Sequence, residues 1–237
     1  MASWIIHLRI AEKIYKQTYI PSVTEFVLGN IAPDSGLPNE DWSAYVPDKA
    51  VSHFYRTDET GKSHIDEQLY IDRHFSDSQR LGYNKQEYSF HFGYLTHLLT
   101  DKLWARDIGE PAKTSFAALY KSDCAGFYRM IKGDWYDLDF MFLKTNPDFE
   151  AFRIYADSDD ISNAYLDFFA EDAFSRRREF IVDFYRNGAA NVEYRDTYIS
   201  PEQLGHFVDT TADEIIKMCS KYIEEMKAFA SGAENGN

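Results

Sequence analysis

Apolar side chains recur at helical spacing along nearly the whole chain, and this periodicity constrains the fold more than any other feature. No run of alternating β-branched residues is long enough to build a sheet. The sequence therefore predicts an all-α fold, a multi-helix bundle, while the segment 135–142 suits either a helix or a strand. The predicted helices cover residues 4–16, 23–28, 63–75, 84–108, 110–128, 149–155, 159–187 and 201–230.

A chain of 237 residues that is 44% hydrophobic and 16% aromatic can bury a substantial core. No Pro-, Gly- or Ser-rich linker divides it. We therefore expect a single helical domain over residues 1–230, followed by a flexible tail, SGAENGN, over residues 231–237.

The formal net charge of −14 excludes some classes of partner. Nucleic acid is not expected as a bulk partner, because phosphate backbones are held by clustered Lys and Arg. Tight adhesion to an anionic membrane is disfavoured for the same reason. A single phosphate ester remains compatible with this charge, because a bound metal ion can invert the local field.

The compartment is predicted from the N-terminal segment and the cysteines. The apolar run near the start is short and is interrupted by His7 and Arg9, so it does not resemble a secretory signal. No stretch approaches the length of a membrane span. The two cysteines, Cys124 and Cys219, do not indicate a disulfide framework, and a reduced, cytoplasmic setting is expected.

The strongest local signal for chemistry is the pair His97 and Asp101 in the predicted helix 84–108. At a spacing of four residues both side chains leave one face of the helix and can reach one metal ion. An isolated pair of this kind can equally form a hydrogen bond. The apolar neighbours Leu95, Leu98 and Leu103 indicate a central helix, where an ionisable pair needs further partners.

Three residues elsewhere are candidate partners for this pair. His7 lies on the apolar first helix, where a core histidine is the alternative interpretation. Asp34 follows the second helix in a tight turn, where it suits a cap or an Asx turn. His53 comes just after a Gly-, Pro-, Asn- and Asp-rich segment, 29–51, which is predicted to be a long ordered loop and is unusual in a compact domain. It can also be an ordinary, partly buried histidine.

The stretches WIIH, GNIAPDSG, SHF and GYLTHLLTDKLW place these residues in the order His, Asp, His, then His-x-x-x-Asp on a long helix. In this order the chain resembles the bacterial zinc-dependent phospholipase C family, whose relatives, the fungal single-strand nucleases, have a similar helical fold. The resemblance covers roughly the first 105 residues.

The resemblance implies that Asp34, His53, His97 and Asp101 bind one zinc ion. It further implies that Asp101 bridges to a second zinc held by His7. In secreted members an N-terminal Trp completes the second site, whereas Trp4 here has three residues ahead of it. The third family site needs two further histidines and a glutamate, but His206 is the only histidine after Asp101, so one or two zinc ions are expected and a third is not.

The function implied by this resemblance is zinc-dependent hydrolysis of phosphate esters, with a metal-activated water attacking phosphorus. Asp34 is the candidate catalytic residue, which would orient or deprotonate that water. The expected substrate is a small phosphoester or a phospholipid headgroup. No His is followed directly by Asp, which excludes the phosphohydrolase class built on that dipeptide.

The alternative is a metal-stabilised helical scaffold or interaction protein without catalysis, because four protein ligands can close a tetrahedral site. Further carboxylates near the site, such as Glu40 or Asp48, would favour an enzyme. The basic run Arg176, Arg177 and Arg178 is interpreted as a solvated helix face. The sequence does not indicate an oligomeric state.

Overall fold

The computed structural model describes residues 1–40, 44–158, 162–188 and 198–231, and they are mostly helical, as the periodicity predicts. The helices are α1 (Trp4–Gln17), α2 (Val23–Ile31), α3 (Lys49–Ser52), α4 (Glu67–His74), α5 (Asp77–Arg80), α6 (Lys85–Trp104), α7 (Glu110–Ser115), α8 (Ala117–Ser122), α9 (Cys124–Thr145), α10 (Glu150–Asp157), α11 (Ala173–Asn187), α12 (Pro201–Met218) and α13 (Ser220–Ser231). A 3₁₀ turn covers Ala32–Asp34, and wider π-helical turns cover Ala105–Gly109. The strands are β1 (Leu37–Pro38), β2 (Tyr45–Val46), β3 (Tyr55–Thr57) and β4 (Ser63–Ile65).

Helix α6 is the central element of the fold. It begins with a capping box in which Asn84 and Glu87 satisfy each other's backbone N–H groups. Every residue from Tyr88 to Trp104 except Lys102 is buried. The predicted buried helix is therefore confirmed, and any ionisable residue on it must find its partners inside the protein.

Helices α2 and α6 pack backbone to backbone through two glycines. A Cβ atom on Gly29 would lie 2.0 Å from the carbonyl oxygen of Phe90, and one on Gly93 would lie 2.1 Å from that of Phe26. Only glycine allows such a close approach. The contact brings the C-terminal end of α2, and the turn that follows it, against the middle of α6.

The apolar side chains form two adjoining groups. The larger surrounds α6 and includes Trp104, whose ring packs edge-on against Trp135 and Phe207 at centroid distances of 5.0 and 5.1 Å. The smaller lies between α1, α2, α10 and α11, with Ile5 and Ile181 fully buried. Aromatic rings thus fill much of the space between the helices.

Two predictions near the long loop are wrong. Residues 63–65, predicted to be helical, form β4, which pairs antiparallel with β3 over three residues. A second pair, β1 and β2, covers two residues, although no sheet was expected. Helix α4 begins only after Asp66, whose side chain accepts a hydrogen bond from the backbone N–H of Leu69. The predicted loop over residues 29–51 contains the end of α2, the 3₁₀ turn, β1, β2 and most of α3, while residues 41–43 lie outside the described residues.

The later helices also differ from the prediction in their bounds. Residues 135–142 are helical within α9. The break predicted between the helices 84–108 and 110–128 is absent, because Pro111 occupies the first turn of α7, where its missing N–H costs little. Helix α11 begins at Ala173 rather than near residue 159. The side-chain amide of Asn163 instead donates to the carbonyls of Leu166 and Phe169 and holds a turn there. Residues 159–161 lie outside the described residues.

At the C-terminal end, α13 continues through Ser231, the first residue of the predicted tail, and residues 232–237 lie outside the described residues. Within the described part of the chain, no helix is both long enough and apolar enough to cross a membrane.

Candidate metal centre

The structure brings together all five candidate residues, which come from four neighbouring parts of the fold. His7 lies on α1, Asp34 ends the 3₁₀ turn after α2, His53 directly follows α3, and His97 and Asp101 lie one turn apart on α6. We call this group (His7, Asp34, His53, His97 and Asp101) the five-residue cluster. It is buried except at Asp34, whose side chain is 9% exposed.

Ligand atoms of His53, His97 and Asp101 are spaced like three ligands of one tetrahedral ion, and a carboxylate oxygen of Asp34 lies next to His53. The Nε2 atom of His53 lies 3.3 Å from Nε2 of His97, 3.5 Å from Oδ1 of Asp34 and 3.6 Å from Oδ2 of Asp101. The Nε2 atom of His97 also lies 3.6 Å from Oδ2 of Asp101. A tetrahedral zinc with bonds of about 2.0–2.1 Å holds its ligand atoms roughly 3.3–3.4 Å apart.

A backbone carbonyl fixes the orientation of His97. Its Nδ1 lies 2.7 Å from the carbonyl oxygen of Asn30 at the end of α2. A carbonyl oxygen only accepts hydrogen bonds, so Nδ1 carries the hydrogen, and a neutral imidazole then presents a lone pair at Nε2. Metal-binding histidines are commonly oriented by this kind of contact.

His53 is held by its neighbours in sequence and by α6. Its Nδ1 lies 3.0 Å from the hydroxyl of Ser52, whose own carbonyl accepts a hydrogen bond from the Tyr94 hydroxyl. The next residue, Phe54, has a φ of 52°, a left-handed conformation that is strained for a bulky side chain. Its buried ring packs against Tyr70 and Tyr94, which holds this backbone in place.

The two carboxylate oxygens of Asp101 face opposite sides of the cluster. Oδ2 faces His53 and His97, whereas Oδ1 lies 3.3 Å from Nε2 of His7 and accepts a hydrogen bond of 2.7 Å from the backbone N–H of Ala2. Burial raises the pKa of Asp101, but the chain terminus and the nearby rings of His7 and His97 outweigh it and hold that pKa well below its usual range. Asp101 is therefore an ionised carboxylate placed to bridge two positions.

His7 is fully buried, and its ring stacks on that of His97 with a centroid distance of 3.8 Å and an interplanar angle of 3°. Burial and the neighbouring His97 lower the pKa of His7 to about 4, although Asp101 opposes this shift. His7 is thus neutral near pH 7, the form that binds metals. Burial likewise lowers the pKa of His53.

Buried polar atoms without a partner gather around the cluster. In the described part of the chain, both ring nitrogens of His7, Oδ2 of Asp101 and the side-chain amide of Asn30 have no hydrogen-bond partner. Such atoms are costly to bury unless an ion or water satisfies them. The donor set of imidazole nitrogens and carboxylate oxygens suits zinc, so the residues fit the expected ion.

The geometry supports one ion better than two. One group of possible ligands combines Asp34, His53 and His97, and a second combines His7, His97 and Asp101, with their ligand atoms within 4.8 Å of one another. If His97 binds the first ion, the second position keeps only His7 and Oδ1 of Asp101. The described residues therefore offer the first position Asp34, His53 and His97, with Oδ2 of Asp101 facing His53 and His97, and they offer the second position two ligands.

Asp34 connects the cluster to a solvent-accessible cavity of about 220 Å³. Its Oδ1 lies 3.7 Å from the ammonium nitrogen of Lys49, whose side chain is 44% exposed. Burial raises the pKa of Asp34, but Lys49 and a hydrogen bond from His53 outweigh it and keep that pKa well below its usual range. Asp34 is therefore an ionised carboxylate at the boundary between the cluster and the cavity.

The other two carboxylates considered from the sequence do not join the cluster. Asp48 is exposed and caps α3, where it accepts a hydrogen bond of 2.9 Å from the backbone N–H of Val51. Glu40 is exposed on the surface. Neither supplies the extra carboxylate that would favour an enzyme over a scaffold.

The interpretation of the basic run as a solvated face is wrong for Arg177. That side chain is only 5% exposed and lines the cavity beside Asp34, whereas Arg176 is exposed. Lys49 and Lys132 line the same cavity, and the sequence analysis missed all three. One signal was available for Arg177, since it lies three residues after Phe174 and four before Ile181, on the apolar stripe of α11.

No protein-family model matches this chain, and neither a curated protein nor a solved structure matches it.

Proposed function

We propose that this protein is a zinc-dependent hydrolase of small phosphate esters. The observation that carries the proposal is that Nε2 of His53 lies within 3.6 Å of ligand atoms of Asp34, His97 and Asp101, at the inner end of an open cavity. The resemblance of four sequence stretches to the zinc-dependent phospholipase C family supports the same reaction class.

The proposed ligands bind the ion without large rearrangement. Asn30 and Ser52 hold the imidazoles of His97 and His53 with their Nε2 atoms directed at the common position. Asp101 supplies Oδ2 to this position, and its Oδ1 with His7 offers the weaker second position. We therefore expect one tightly bound zinc per chain, and a second only at higher zinc concentration.

The zinc supplies Lewis-acid chemistry, because it lowers the pKa of a water near it and polarises a phosphoryl oxygen. Side chains of the protein position the water and the ester. Asp34, facing the cavity, accepts a hydrogen bond from the attacking water and orients it towards phosphorus. Lys49, next to Asp34, attracts the negatively charged ester to this end of the cavity.

One observation favours the alternative, a metal-stabilised scaffold. Four protein ligands complete a tetrahedral site, as they do in structural zinc sites. In a scaffold, the ion would stabilise the packing of α2, α3 and α6, and no ester would be hydrolysed. The two proposals therefore differ in turnover and not in metal content.

Hydrolysis of chromogenic esters by zinc-loaded protein tests the proposal. We expect turnover of p-nitrophenyl phosphate or bis(p-nitrophenyl) phosphate by the wild type. The variant Asp34→Asn should lower kcat by about 100-fold or more, because it removes the group that orients the water. Glu40→Gln, an exposed change in the same segment, is the matched control and should leave kcat unchanged.

Stoichiometric zinc without turnover of either ester would overturn the hydrolase and support the scaffold. If Asp34→Asn keeps full turnover and full metal content, Asp34 does not take part in the mechanism.

A further inference from the structure

The cavity beside the five-residue cluster is cationic, although the chain as a whole is acidic. Lys49, Lys132 and Arg177 line it, and among the described lining residues Asp34 is the only acidic one. The full chain has 39 acidic against 25 basic residues, so this balance opposes the overall charge. We call this space (the cavity lined by Asp34, Lys49, Lys132 and Arg177) the cationic cavity.

Arg177 is the strongest evidence that the cationic cavity is a binding site. Its side chain is 5% exposed, and its Nη2 donates a hydrogen bond to the carbonyl of Gly36. Its Nε is buried without a hydrogen-bond partner in the described part of the chain. A buried guanidinium with an unused donor is costly, and an anion in the cavity would satisfy it.

The two lysines come from different parts of the fold and complete the positive lining. Lys132 lies on α9 and is exposed, and Lys49 lies at the start of α3. Within the residues that the structure describes, neither Lys132 nor Arg177 forms an ion pair with a carboxylate. Their charges are therefore available to a ligand, and the burial of Arg177 strengthens the attraction of its guanidinium for an anion.

Two of the four aromatic residues that line the cavity, Phe180 and Tyr45, already contact the protein's own cation, and the other two are Trp4 and Tyr136. The guanidinium carbon of Arg177 lies 5.4 Å from the ring centroid of Phe180 and 6.0 Å from that of Tyr45. A quaternary ammonium group is recognised by aromatic faces of this kind. Here it would compete with Arg177 for those faces and be repelled by the neighbouring lysines.

We propose that the cationic cavity binds the dianion of a phosphomonoester, and that it discriminates against zwitterionic headgroups such as phosphocholine. This inference rests on the proposed function for the reaction, but the binding itself depends only on Lys49, Lys132 and Arg177. The phosphate approaches the five-residue cluster past Asp34 and Lys49, and Arg177 and Lys132 bind its outer oxygens.

Calorimetric titration of the protein with phenyl phosphate and with phosphocholine, at pH 8 and with and without zinc, tests this selectivity. Both probes are phosphomonoesters, and the group esterified to phosphate is a neutral phenyl ring in one and an ethyl chain with a quaternary ammonium in the other. We expect phenyl phosphate to bind at least tenfold more tightly. Arg177→Gln and Lys132→Gln should each weaken phenyl phosphate binding by about tenfold, because each removes a charge-assisted contact.

Arg176→Gln is the matched control, since Arg176 lies on the same helix but is exposed and lies 3.7 Å from Asp172. It should not change either affinity. Lys132 is exposed, so Lys132→Gln is expected to fold even if Arg177→Gln does not, and it then decides the result.

The outcomes separate this inference from the proposed function. If the protein binds phenyl phosphate selectively through Lys132 but hydrolyses no ester, the proposed hydrolase activity is wrong and the proposed binding in the cationic cavity is supported. If the protein hydrolyses an ester but binds both probes equally, or binds them unchanged in Lys132→Gln, the proposed binding in the cationic cavity is wrong and the proposed hydrolase activity is supported.

Discussion

Two buried residues of the five-residue cluster have pKa values far below their usual range. Asp101 is held as a carboxylate and His7 as a neutral imidazole, although both lie in the interior. These are the forms in which the two side chains bind a metal ion, whereas protonation would remove the lone pairs that coordinate it. The cluster is thus in a metal-binding protonation state near pH 7.

Asp139, on α9, shows the opposite shift and gives a prediction for stability. Burial raises the pKa of Asp139 from 3.8 to about 7, although hydrogen bonds from Tyr185 and Ser3 act to lower it. Between these two values the unfolded chain has lost the proton that the folded chain keeps. The contribution of Asp139 to the free energy of unfolding therefore falls as pH rises, by at most about 1.4 kcal/mol per pH unit.

The variant Asp139→Asn removes this titration and retains the size of the side chain. From pH 5 to pH 8, the free energy of unfolding of the wild type should fall by about 2–3 kcal/mol relative to that of Asp139→Asn. Urea unfolding at the two pH values measures this difference. Asp183→Asn, at an exposed position on α11, is the control and should behave like the wild type. An identical pH dependence in Asp139→Asn and the wild type would contradict a raised pKa.

At the level of elements, the contact between α2 and α6 sets the geometry of the candidate site. The two glycines let these helices approach closely enough for the Asn30 carbonyl to reach His97. The same contact places Asp34, three residues beyond the end of α2, within reach of the His53 and His97 rings. Small changes in the distance between α2 and α6 should therefore change the affinity for the metal ion.

The variant Gly93→Ala tests this dependence. Its added methyl group would meet the backbone carbonyl of Phe26, so the helices must separate, with a loss of stability of about 2–3 kcal/mol. We also expect roughly tenfold weaker zinc binding, since α2 carries Asn30 and leads to Asp34. Chemical unfolding and a zinc titration measure the two effects.

Gly133→Ala on α9 is the matched control, because nothing lies within 4 Å of the added atom. It should stabilise the protein by about 0.5–1 kcal/mol and leave zinc affinity unchanged. Equal zinc affinity in Gly93→Ala and Gly133→Ala would show that the helix contact does not position the site.

Periodicity and spacing predicted most of the helices and the pair His97 and Asp101, whereas His7, Asp34 and His53 were assigned to the same site by what the family resemblance implies. His97 and Asp101 share a helix face through their spacing, and periodicity marks their helix as buried. The hairpin of β3 and β4 was missed because strands of three residues are too short for periodicity to distinguish. The cationic cavity was missed because Arg177 and Gly36, which are joined by a hydrogen bond, lie 141 residues apart in sequence.

For the whole molecule, the candidate site connects parts of the chain that are far apart in sequence. His7 on the first helix, the turn after α2, the residue after α3 and the middle of α6 meet around two adjacent positions that Asp101 joins. A bound ion would therefore stabilise the packing of these elements as well as supply chemistry. The cationic cavity extends the same arrangement to α9 and α11, which provide Lys132 and Arg177.

The central claim is that the five-residue cluster binds a divalent metal ion, and elemental analysis of the purified protein tests it most directly. We expect protein purified without added metal, and then dialysed against trace zinc, to retain at least one zinc ion per chain. Asp101→Asn keeps the shape of the side chain but removes its charge, and it should lower the zinc affinity by roughly 100-fold or more. A wild-type protein that retains no ion, or an Asp101→Asn variant that binds zinc as tightly as the wild type, would contradict the claim.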